Sequence, residues 1–273
     1  MNDLKDKELV IFDLETTGLN PQEGDRICEI AGIKYKDDSV IDTFHSLIDP
    51  QRPISPAAYA INRIDKEMLK DAPKNIDVLP HFAKFISGTY LAAYNIRFDL
   101  NFLTNELKTM GKTIGEDILF FDILALARRT LLQLPSYSLA NVANSLDLKY
   151  LKLHRALNDV RLSWNVLSSL LDILKGRGIK NFSEVYTLCG FNPDLLSQAN
   201  EQKIAFILRA IDFRFNLAIR YFSKSSAQVT ERNITPKEIY EEHGKKYLIG
   251  YCHLRNDERN FAIDSILHLD VKT

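Results

Sequence analysis

The sequence predicts an α/β fold with a mixed β-sheet, followed by a small strand-rich second domain. Its 273 residues exceed the usual size of one domain and suit two. Strand patterns come first and then alternate with helical patterns, an order typical of α/β proteins. Beyond about residue 200, short apolar runs separated by turns predominate.

The first two thirds of the chain contain one central strand, a hairpin, and then alternating helices and strands. Leu9–Leu14 is an apolar run that Thr16-Thr17-Gly18 ends, which predicts a buried strand and a turn. Two runs flanking a polar turn predict a β-hairpin: 26–35 and 39–48. A loop is expected at 49–56, which contains three prolines. Apolar spacing predicts helices and short strands: helices at 75–87, 98–110, 122–130, 138–146 and 157–174, and strands at 90–94 and 118–121.

The second part of the chain has a different pattern of apolar and polar residues. The helical pattern lapses near residue 175, and the residues up to 202 are mixed and polar. A helix is expected at 203–212, and strands are expected at 215–222, 247–254 and 259–269. The expected domain limits are therefore 1–178 for the first domain, 179–202 for a linker and 203–273 for the second domain.

Composition excludes several classes of protein. Apolar residues are 45%, charged residues are 26% and the net charge is −1, which is the balance of an ordinary globular protein and not of a protein that coats DNA electrostatically. The three cysteines, Cys28, Cys189 and Cys252, form no CxxC pair, which favours buried thiols in a reducing compartment. No signal-peptide core or membrane-length apolar run is found, so the expected location is cytoplasmic, without membrane partners.

Three small groups of polar residues are candidates for chemistry. Asp13 and Glu15 lie two positions apart at a strand end, so their side chains share one face and repel each other unless a cation lies between them. Paired acids at a turn are also often merely solvated. Asp99 lies in the first turn of a helix, where a negative charge also stabilises the helix by itself. His154 and Asp159 converge only if His154 lies in the loop before its helix; otherwise such a histidine is typically a capping or surface residue.

Taken together, these groups resemble the three exonuclease motifs of the DEDDh family. The motifs are Asp13-x-Glu15, Asn95-x-x-Phe98-Asp99 and His154-x4-Asp159, in that order, each at a strand end or helix start. From about residue 7 to residue 175 the chain is similar to the epsilon subunit of bacterial DNA polymerase III and to RNase T. An ordered set of motifs is far more specific than any one of them.

The resemblance implies an RNase H-like fold, with a mixed five-stranded sheet flanked by helices, and 3′→5′ exonuclease activity. It implies two divalent cations, Mg²⁺ or Mn²⁺, which suit oxygen ligands. Their ligands would be Asp13, Glu15, Asp99 and Asp159, and His154 would be the base that deprotonates the attacking water. By the same resemblance, seven residues would contact the substrate: Thr16, Thr17, Gly18, Leu19, Ile61, Asn95 and Phe98. A segment that often reads His-Gly-Ile-Thr in relatives is Asn62-Arg63-Ile64-Asp65 here, which leaves the substrate preference open.

The C-terminal part resembles a WYL domain, a small SH3/Sm-like β-barrel with a preceding helix, found in bacterial regulators that sense nucleic acid or a small ligand. The resemblance covers residues 203–271 and rests on the segments 230–240, 247–252 and 255–264. The name-giving Trp-Tyr-Leu is Lys246-Tyr247-Leu248 here. Basic and aromatic residues of this part would form a groove for nucleic acid: Arg220, Arg232, Tyr247, Tyr251, Arg255 and Arg259. The equally weighted alternative is arginine on solvated strand faces and tyrosine in a small core.

The expected function is metal-dependent removal of nucleotides from single-stranded 3′ ends, with DNA favoured over RNA. The second domain would help to hold, select or sense nucleic acid. Expected partners are such 3′ ends and other replication, repair or RNA-processing proteins. Two alternatives are a non-catalytic regulator built on an exonuclease scaffold and a subunit that tethers a nuclease to a polymerase. The five candidate catalytic residues count against the first, and the strand-rich C-terminal part counts against the second.

Overall fold

The computed structural model describes residues 7–115, 118–151 and 153–272. The chain divides into two compact units. Residues up to 127 together with 134–171 form the first unit, and residues 128–133 together with those from 172 onward form the second unit.

The first unit is built on a five-stranded mixed sheet in the order β3-β2-β1-β4-β5. The strands are β1 (Leu9–Thr16), β2 (Ile27–Lys36), β3 (Ser39–Leu47), β4 (Tyr90–Ala93) and β5 (Leu119–Asp122). β1 is antiparallel to β2 and parallel to β4. It is buried along nearly its whole length, as a continuous apolar run in a central strand requires. The predicted mixed sheet and its five strands are confirmed.

The predicted hairpin joins β2 and β3 through a two-residue turn. Asp37 and Asp38 both have positive φ angles, 50° and 61°. That is the conformation of a type I′ turn, whose twist matches the twist of the flanking strands. Aspartate tolerates this conformation better than most residues other than glycine, so the acidic pair suits the turn.

The helices that begin in the first unit are α1 (Pro56–Asn62), α2 (Asn75–Phe85), α3 (Ile96–Thr109), α4 (Ile123–Thr130), α5 (Leu139–Ser145) and α6 (Ala156–Gly176). All but α1 were predicted, to within three residues at each end. α1 follows the expected proline-rich loop. The sequence signal for its start is Ser55 followed by Pro56, since both residues favour a helix start. Ser55 Oγ accepts a hydrogen bond from the amide of Ala58 at 3.1 Å, and Pro56 is the first helical residue.

The second unit contains the helices α7 (Phe182–Cys189) and α8 (Pro193–Asp212) and a second sheet. The expected linker, 179–202, is therefore mostly helical. The physical reason is that Phe182, Val185 and Leu188 are buried at helical spacing. The polar residues between them hide this short pattern in the sequence.

The second sheet is antiparallel, in the order β10-β6-β7-β8-β9. Its strands are β6 (Leu217–Ser223), β7 (Gln228–Glu242), β8 (Lys245–Cys252), β9 (Asp257–Ala262) and β10 (Ile266–Val271). The expected barrel is not closed, because β9 and β10 are the two edges of this sheet. β7 was not predicted because its charged and polar side chains are largely exposed. One predicted run, 259–269, is two strands, which a 3₁₀ turn at Ile263–Ser265 separates.

Each unit has its own apolar interior. In the second unit, Ile207 and Ala210 of α8 pack into the same cluster as residues of the sheet, including Leu217, Leu248 and Phe261. The three cysteines are buried and free, as the sequence predicted. Within the described residues, no helix has both the length and the apolar character needed to cross a bilayer.

Candidate functional site

Three carboxylates from two distant parts of the chain meet at the end of β1. Ligand oxygens of Asp13, Glu15 and Asp159 all lie within 4.8 Å of one another. Glu15 and Asp159 are each only 9% exposed. Asp13 and Glu15 come from alternate positions of one strand, and Asp159 comes from the first turn of α6. An all-oxygen, negatively charged donor set fits a hard divalent cation such as Mg²⁺ or Mn²⁺.

A fourth carboxylate lies directly beside this cluster. Asp99, in the first turn of α3, is 2% exposed. Its Oδ1 accepts a hydrogen bond from the amide of Leu14 at 3.1 Å. Leu14 is the residue between Asp13 and Glu15, so this bond fixes Asp99 against the strand that carries the other two acids.

The charges of these acids are poorly balanced by the protein alone. Burial first, and then the charges of neighbouring carboxylates, raise the pKa of Asp13 well above its usual range. Burial also raises the pKa of Asp99, and more strongly than its hydrogen bond to Leu14 lowers it. The pKa of Glu15 is raised to about 8, chiefly by burial, and that of Asp159 to about 6, again chiefly by burial. Bound cations would remove this repulsion, so the electrostatics also fit a metal site.

His154 lies in the loop immediately before α6, which is the placement that its pairing with Asp159 requires. Its backbone is left-handed, with φ of 66°. Its amide lies 3.2 Å from both oxygens of Asp159. Its side chain is exposed.

Sequence reasoning missed a buried charge network next to the cluster. Glu29 of β2 pairs across the sheet with Glu15 and is fully buried. Burial favours the protonated acid, but hydrogen bonds from His45 and Arg155 outweigh burial and lower the pKa of Glu29 to about 2. The signal that could have found it is a charged residue inside the apolar run Ile-Cys-Glu-Ile at 27–30.

The expected substrate-contacting loop after β1 is held by Asp25. The Thr17 hydroxyl donates to Asp25 Oδ1 at 3.0 Å, and the amide of Asn20 donates to Asp25 Oδ2 at 3.1 Å. A Cβ at Gly18 would overlap the Asp25 carboxylate. A larger residue at position 18 would therefore have to displace the Asp25 carboxylate, and the predicted contact of Gly18 with the substrate stays a prediction. Thr16 is tied to the same loop, since its hydroxyl donates to the Gly18 carbonyl at 2.6 Å.

Exposed apolar side chains lie on the segments flanking the carboxylates. Leu19 is 79% exposed and Ile61 is 52% exposed. Ile61 belongs to α1, which Asn62 connects to β1 because its Nδ2 donates to the Thr16 carbonyl at 3.3 Å. The same amide hydrogen-bonds to Glu15 and so lowers the pKa of that acid, against the larger effect of burial. Asn62 therefore belongs to the site, although the sequence indicated it only as a departure from the family pattern.

Asn95 and Phe98 lie at the start of α3. Asn95 is the residue before the helix, and Phe98 directly precedes Asp99 in its first turn. Asn95 is exposed and left-handed, with φ of 68°. Its amide donates to Asp122 Oδ1 at 3.2 Å, which fixes the turn between β4 and α3. Phe98 packs on Phe102 with ring centroids 5.0 Å apart and is only partly buried.

In the second unit, three of the predicted basic residues line one cavity of ≈ 500 Å³: Arg232, Arg255 and Arg259. Lys224 lines it too, and Tyr221 and Phe261 add aromatic surface. Lys224 pairs with Asp264 at 3.2 Å and Arg259 pairs with Asp257 at 3.3 Å. The net positive charge of this surface therefore comes chiefly from Arg232 and Arg255, and it favours an anionic ligand. Lys224 was missed because only its place in the fold, and no motif, sets it beside the arginines.

The other predicted contacts of the second unit lie elsewhere. Arg220 donates to Glu184 at 2.8 and 3.2 Å and to the Gly178 carbonyl at 2.7 Å. Arg220 is thus a structural residue, whose side chain is only 13% exposed. Tyr247 stacks on Tyr240 with ring centroids 5.1 Å apart, and Tyr251 lies outside the residues that line the cavity.

Comparisons with known proteins agree with the fold. The family model described as Exonuclease (RNase_T) matches residues 10–167, more than half of the chain. The chain therefore belongs to the exonuclease family, with the RNase H-like fold that its first unit displays. A second family model, WYL domain, matches residues 202–271, so the C-terminal part is a WYL domain.

Among curated proteins, the chain is similar to bacterial DNA polymerase III of the PolC type. The protein of Caldanaerobacter subterraneus subsp. tengcongensis is 38% identical over 178 residues, which is 65% of this chain and 12% of that protein. The protein of Clostridium perfringens is 28% identical over 250 residues, which is 90% of this chain and 17% of that protein. The chain thus spans less than a fifth of the length of these relatives.

Among solved structures, cell-death related nuclease 4 (CRN-4) shares the fold of the first unit. The match has a TM-score of 0.54 at 14% identity and covers 61% of this chain and 64% of that chain.

Proposed function

We propose that the protein is a 3′→5′ exonuclease that removes nucleoside monophosphates from the 3′ ends of single-stranded nucleic acid. The observation that carries this proposal is the convergence of Asp13, Glu15 and Asp159 within 4.8 Å, with Asp99 buried beside them. Four carboxylates in one place require positive charge, and the chain supplies too little of it.

The four acids would hold two divalent cations, Mg²⁺ or Mn²⁺. When bound, such ions offset the charge on the attacking and leaving oxygens of an in-line displacement at phosphorus. Two of the acids are fixed in advance for this task, because Asp99 is bonded to Leu14 and Asp159 to His154. Preorganised groups avoid reorganisation during the reaction.

His154 would accept the proton of the attacking water. Its backbone amide is bonded to Asp159, so its segment adjoins the cluster, and its side chain is exposed. A histidine is suited to this task because it exchanges protons near neutral pH.

The exposed apolar residues Leu19 and Ile61 would contact the terminal base, since base stacking on apolar and aromatic side chains tolerates any sequence. Thr16, Thr17, Gly18, Asn95 and Phe98 would line the remaining approach to the acids. DNA is the favoured polymer because the curated relatives of the first domain are DNA polymerases by name. RNA remains the second candidate substrate.

The second domain would hold nucleic acid through the cavity lined by Lys224, Arg232, Arg255 and Arg259. Contacts between basic side chains and phosphates are independent of sequence and salt-sensitive, which suits an enzyme that degrades any 3′ end.

Arg255→Ala combined with Arg259→Ala should weaken binding of single-stranded DNA and reduce its salt dependence. The matched control is Lys237→Ala. Lys237 is an exposed lysine of β7 that does not line this cavity. Equal binding by all these variants would remove the cavity from the proposal.

The domain limits belong to the same proposal. We take 1–178 as the exonuclease domain and 203–273 as the WYL domain. The buried helix α7 supports counting the intervening residues with the second unit rather than as an independent linker.

The test is a time course on 5′-labelled single-stranded DNA and RNA of the same sequence, with Mg²⁺, Mn²⁺ or EDTA. We expect a ladder that shortens from the 3′ end, requires the metal and disappears in the Asp13→Asn variant. Asp42→Asn, which removes an exposed carboxylate of β3, should leave the ladder intact. No shortening of either polymer, with binding still measurable, would favour the alternative of a nucleic-acid-sensing regulator.

A further inference from the structure

Glu29 occupies a position where a carboxylate is unfavourable by itself. It lies on β2 directly opposite Glu15 in the antiparallel register, and it is fully buried. Like charges directly opposite each other on neighbouring strands destabilise a sheet. A glutamate here therefore needs partners that hold it away from Glu15.

Three groups hold the Glu29 carboxylate. Arg155 donates from Nε to Oε2 at 3.1 Å and from Nη2 to Oε1 at 2.9 Å, which is the bidentate geometry that makes arginine–carboxylate pairs strong and directional. The amide of Ala156 donates to Oε2 at 3.2 Å. His45 Nε2 lies 2.8 Å from Oε1.

Two of these partners belong to the segment that carries the catalytic candidates. Arg155 and Ala156 directly follow His154, and Asp159 lies one helical turn further on. The left-handed backbone of His154 carries some strain, which the contacts of Arg155 and Ala156 with Glu29 help to offset. Glu29 therefore ties the start of α6 to β2, the strand next to the one that carries Asp13 and Glu15.

We infer that Glu29 and Arg155 form a positioning pair. The pair places Asp159 against Asp13 and Glu15 and fixes the segment that carries His154, and neither member of the pair is itself a metal ligand. The inference rests on the proposed metal site. Groups that orient metal ligands in this way typically change metal affinity by about 10–100-fold when they are removed.

The test measures Mn²⁺ binding to the full chain by isothermal titration calorimetry, without substrate. Glu29→Gln should weaken Mn²⁺ binding by about 10–100-fold. Glu106→Gln is the matched control, because Glu106 is also fully buried and also accepts two hydrogen bonds from one arginine. Arg26 donates from Nε to Oε1 at 2.6 Å and from Nη2 to Oε2 at 2.8 Å. Since the hydrogen bonds of Glu106 do not reach the start of α6, its variant should keep the Kd of the parent. An unchanged Kd for Glu29→Gln, or equal weakening in both variants, would overturn the inference.

If Glu29→Gln does not fold, two variants of Arg155 test the same pair. The Arg155 side chain is 36% exposed, so its replacement disturbs packing less than replacement of Glu29 does. Arg155→Lys keeps the charge but loses the fork, so it should weaken Mn²⁺ binding less than Arg155→Gln does. The double variant Glu29→Gln with Arg155→Gln should lose no more than the larger single loss, since members of one network act together. Fully additive losses would contradict a pair.

The same titration separates this inference from the proposed function. If the parent binds no Mn²⁺, or if Asp13→Asn binds it as tightly as the parent does, the proposed metal site is wrong. If the parent binds Mn²⁺, Asp13→Asn does not, and the variants of Glu29 and Arg155 bind as the parent does, only the positioning role is wrong.

Discussion

The charge of Glu15 makes the stability of the metal-free protein depend on pH in an uncommon direction. Burial first, and then the charges of Asp159 and Glu29, raise the pKa of Glu15 from 4.5 to about 8. An acid whose pKa is higher in the folded chain than in the unfolded chain binds its proton more tightly in the folded state. The free energy of unfolding therefore falls as the pH rises from about 4.5 to about 8.

The magnitude follows from the size of this shift. One pKa unit corresponds to about 1.4 kcal/mol, so ionised Glu15 lowers the free energy of unfolding by about 4–5 kcal/mol at pH 8 and above. Glu15→Gln removes the charge while keeping the shape of the side chain. An imperfectly paired buried amide costs about 1–3 kcal/mol, so we expect a net gain of roughly 2–3 kcal/mol at pH 8 and no gain at pH 5.

The single tryptophan of the chain makes this measurable for the unit that carries the site. Trp164 stacks on Tyr35 with ring centroids 3.9 Å apart, so its fluorescence reports unfolding of the first unit. Urea denaturation in EDTA at pH 5 and pH 8 would compare the parent with Glu15→Gln. The control is Glu106→Gln, which breaks a buried ion pair with Arg26 and should destabilise the protein at both pH values.

Metal ions should offset this difference in stability. A ligand that binds only the folded state stabilises it by about 2.7 kcal/mol at a hundred times its Kd, so Mn²⁺ should stabilise the parent and leave Glu15→Gln nearly unchanged. The reasoning is refuted if Glu15→Gln is no more stable than the parent at pH 8 in EDTA, because the ionised Glu15 would then impose no penalty on the fold.

Three further predictions concern single residues. Gly18→Ala should lower the free energy of unfolding by about 1–3 kcal/mol, because its Cβ would overlap Asp25; an unchanged urea midpoint would contradict this contact. His154→Ala should lower kcat by about 10²–10⁴-fold with little change in KM, measured by steady-state digestion of single-stranded DNA; similar losses in both constants would indicate a binding residue instead. Arg220→Ala should destabilise the second unit by about 3–5 kcal/mol, because it leaves the buried Glu184 without its main partner; calorimetry that shows no change in unfolding would argue against this pair.

The predicted elements that the structure confirms are those with local causes. The polar turn at Asp37-Asp38 and the continuous apolar run of β1 are each specified by neighbouring residues, because turn conformation and strand burial depend on short-range sterics and periodicity. Elements with a weak local signal were missed. α1 has only two turns after Ser55, and only two residues of β7 are buried, so neither has a clear apolar pattern.

The sequence by itself determined which residues are candidates for catalysis and where each lies on its element. Asp13 and Glu15 share a face because strands have a period of two, and Asp99 and Asp159 lie in first turns because helix starts are marked in the sequence. The order of these residues along the chain was enough to indicate the family.

Only the tertiary structure decided which of these groups meet and which are already paired. Asp159 lies 146 residues after Asp13, so its distance from Asp13 depends on how the sheet and α6 pack. The same holds for Glu29 and Arg155, for the Asp25 carboxylate beside Gly18, and for Arg220, which pairs with Glu184 instead of lining the basic cavity. These outcomes arise from long-range packing and from the need of buried charges for partners. Contacts between distant residues produce no periodic pattern in the sequence, so the sequence alone did not reveal them.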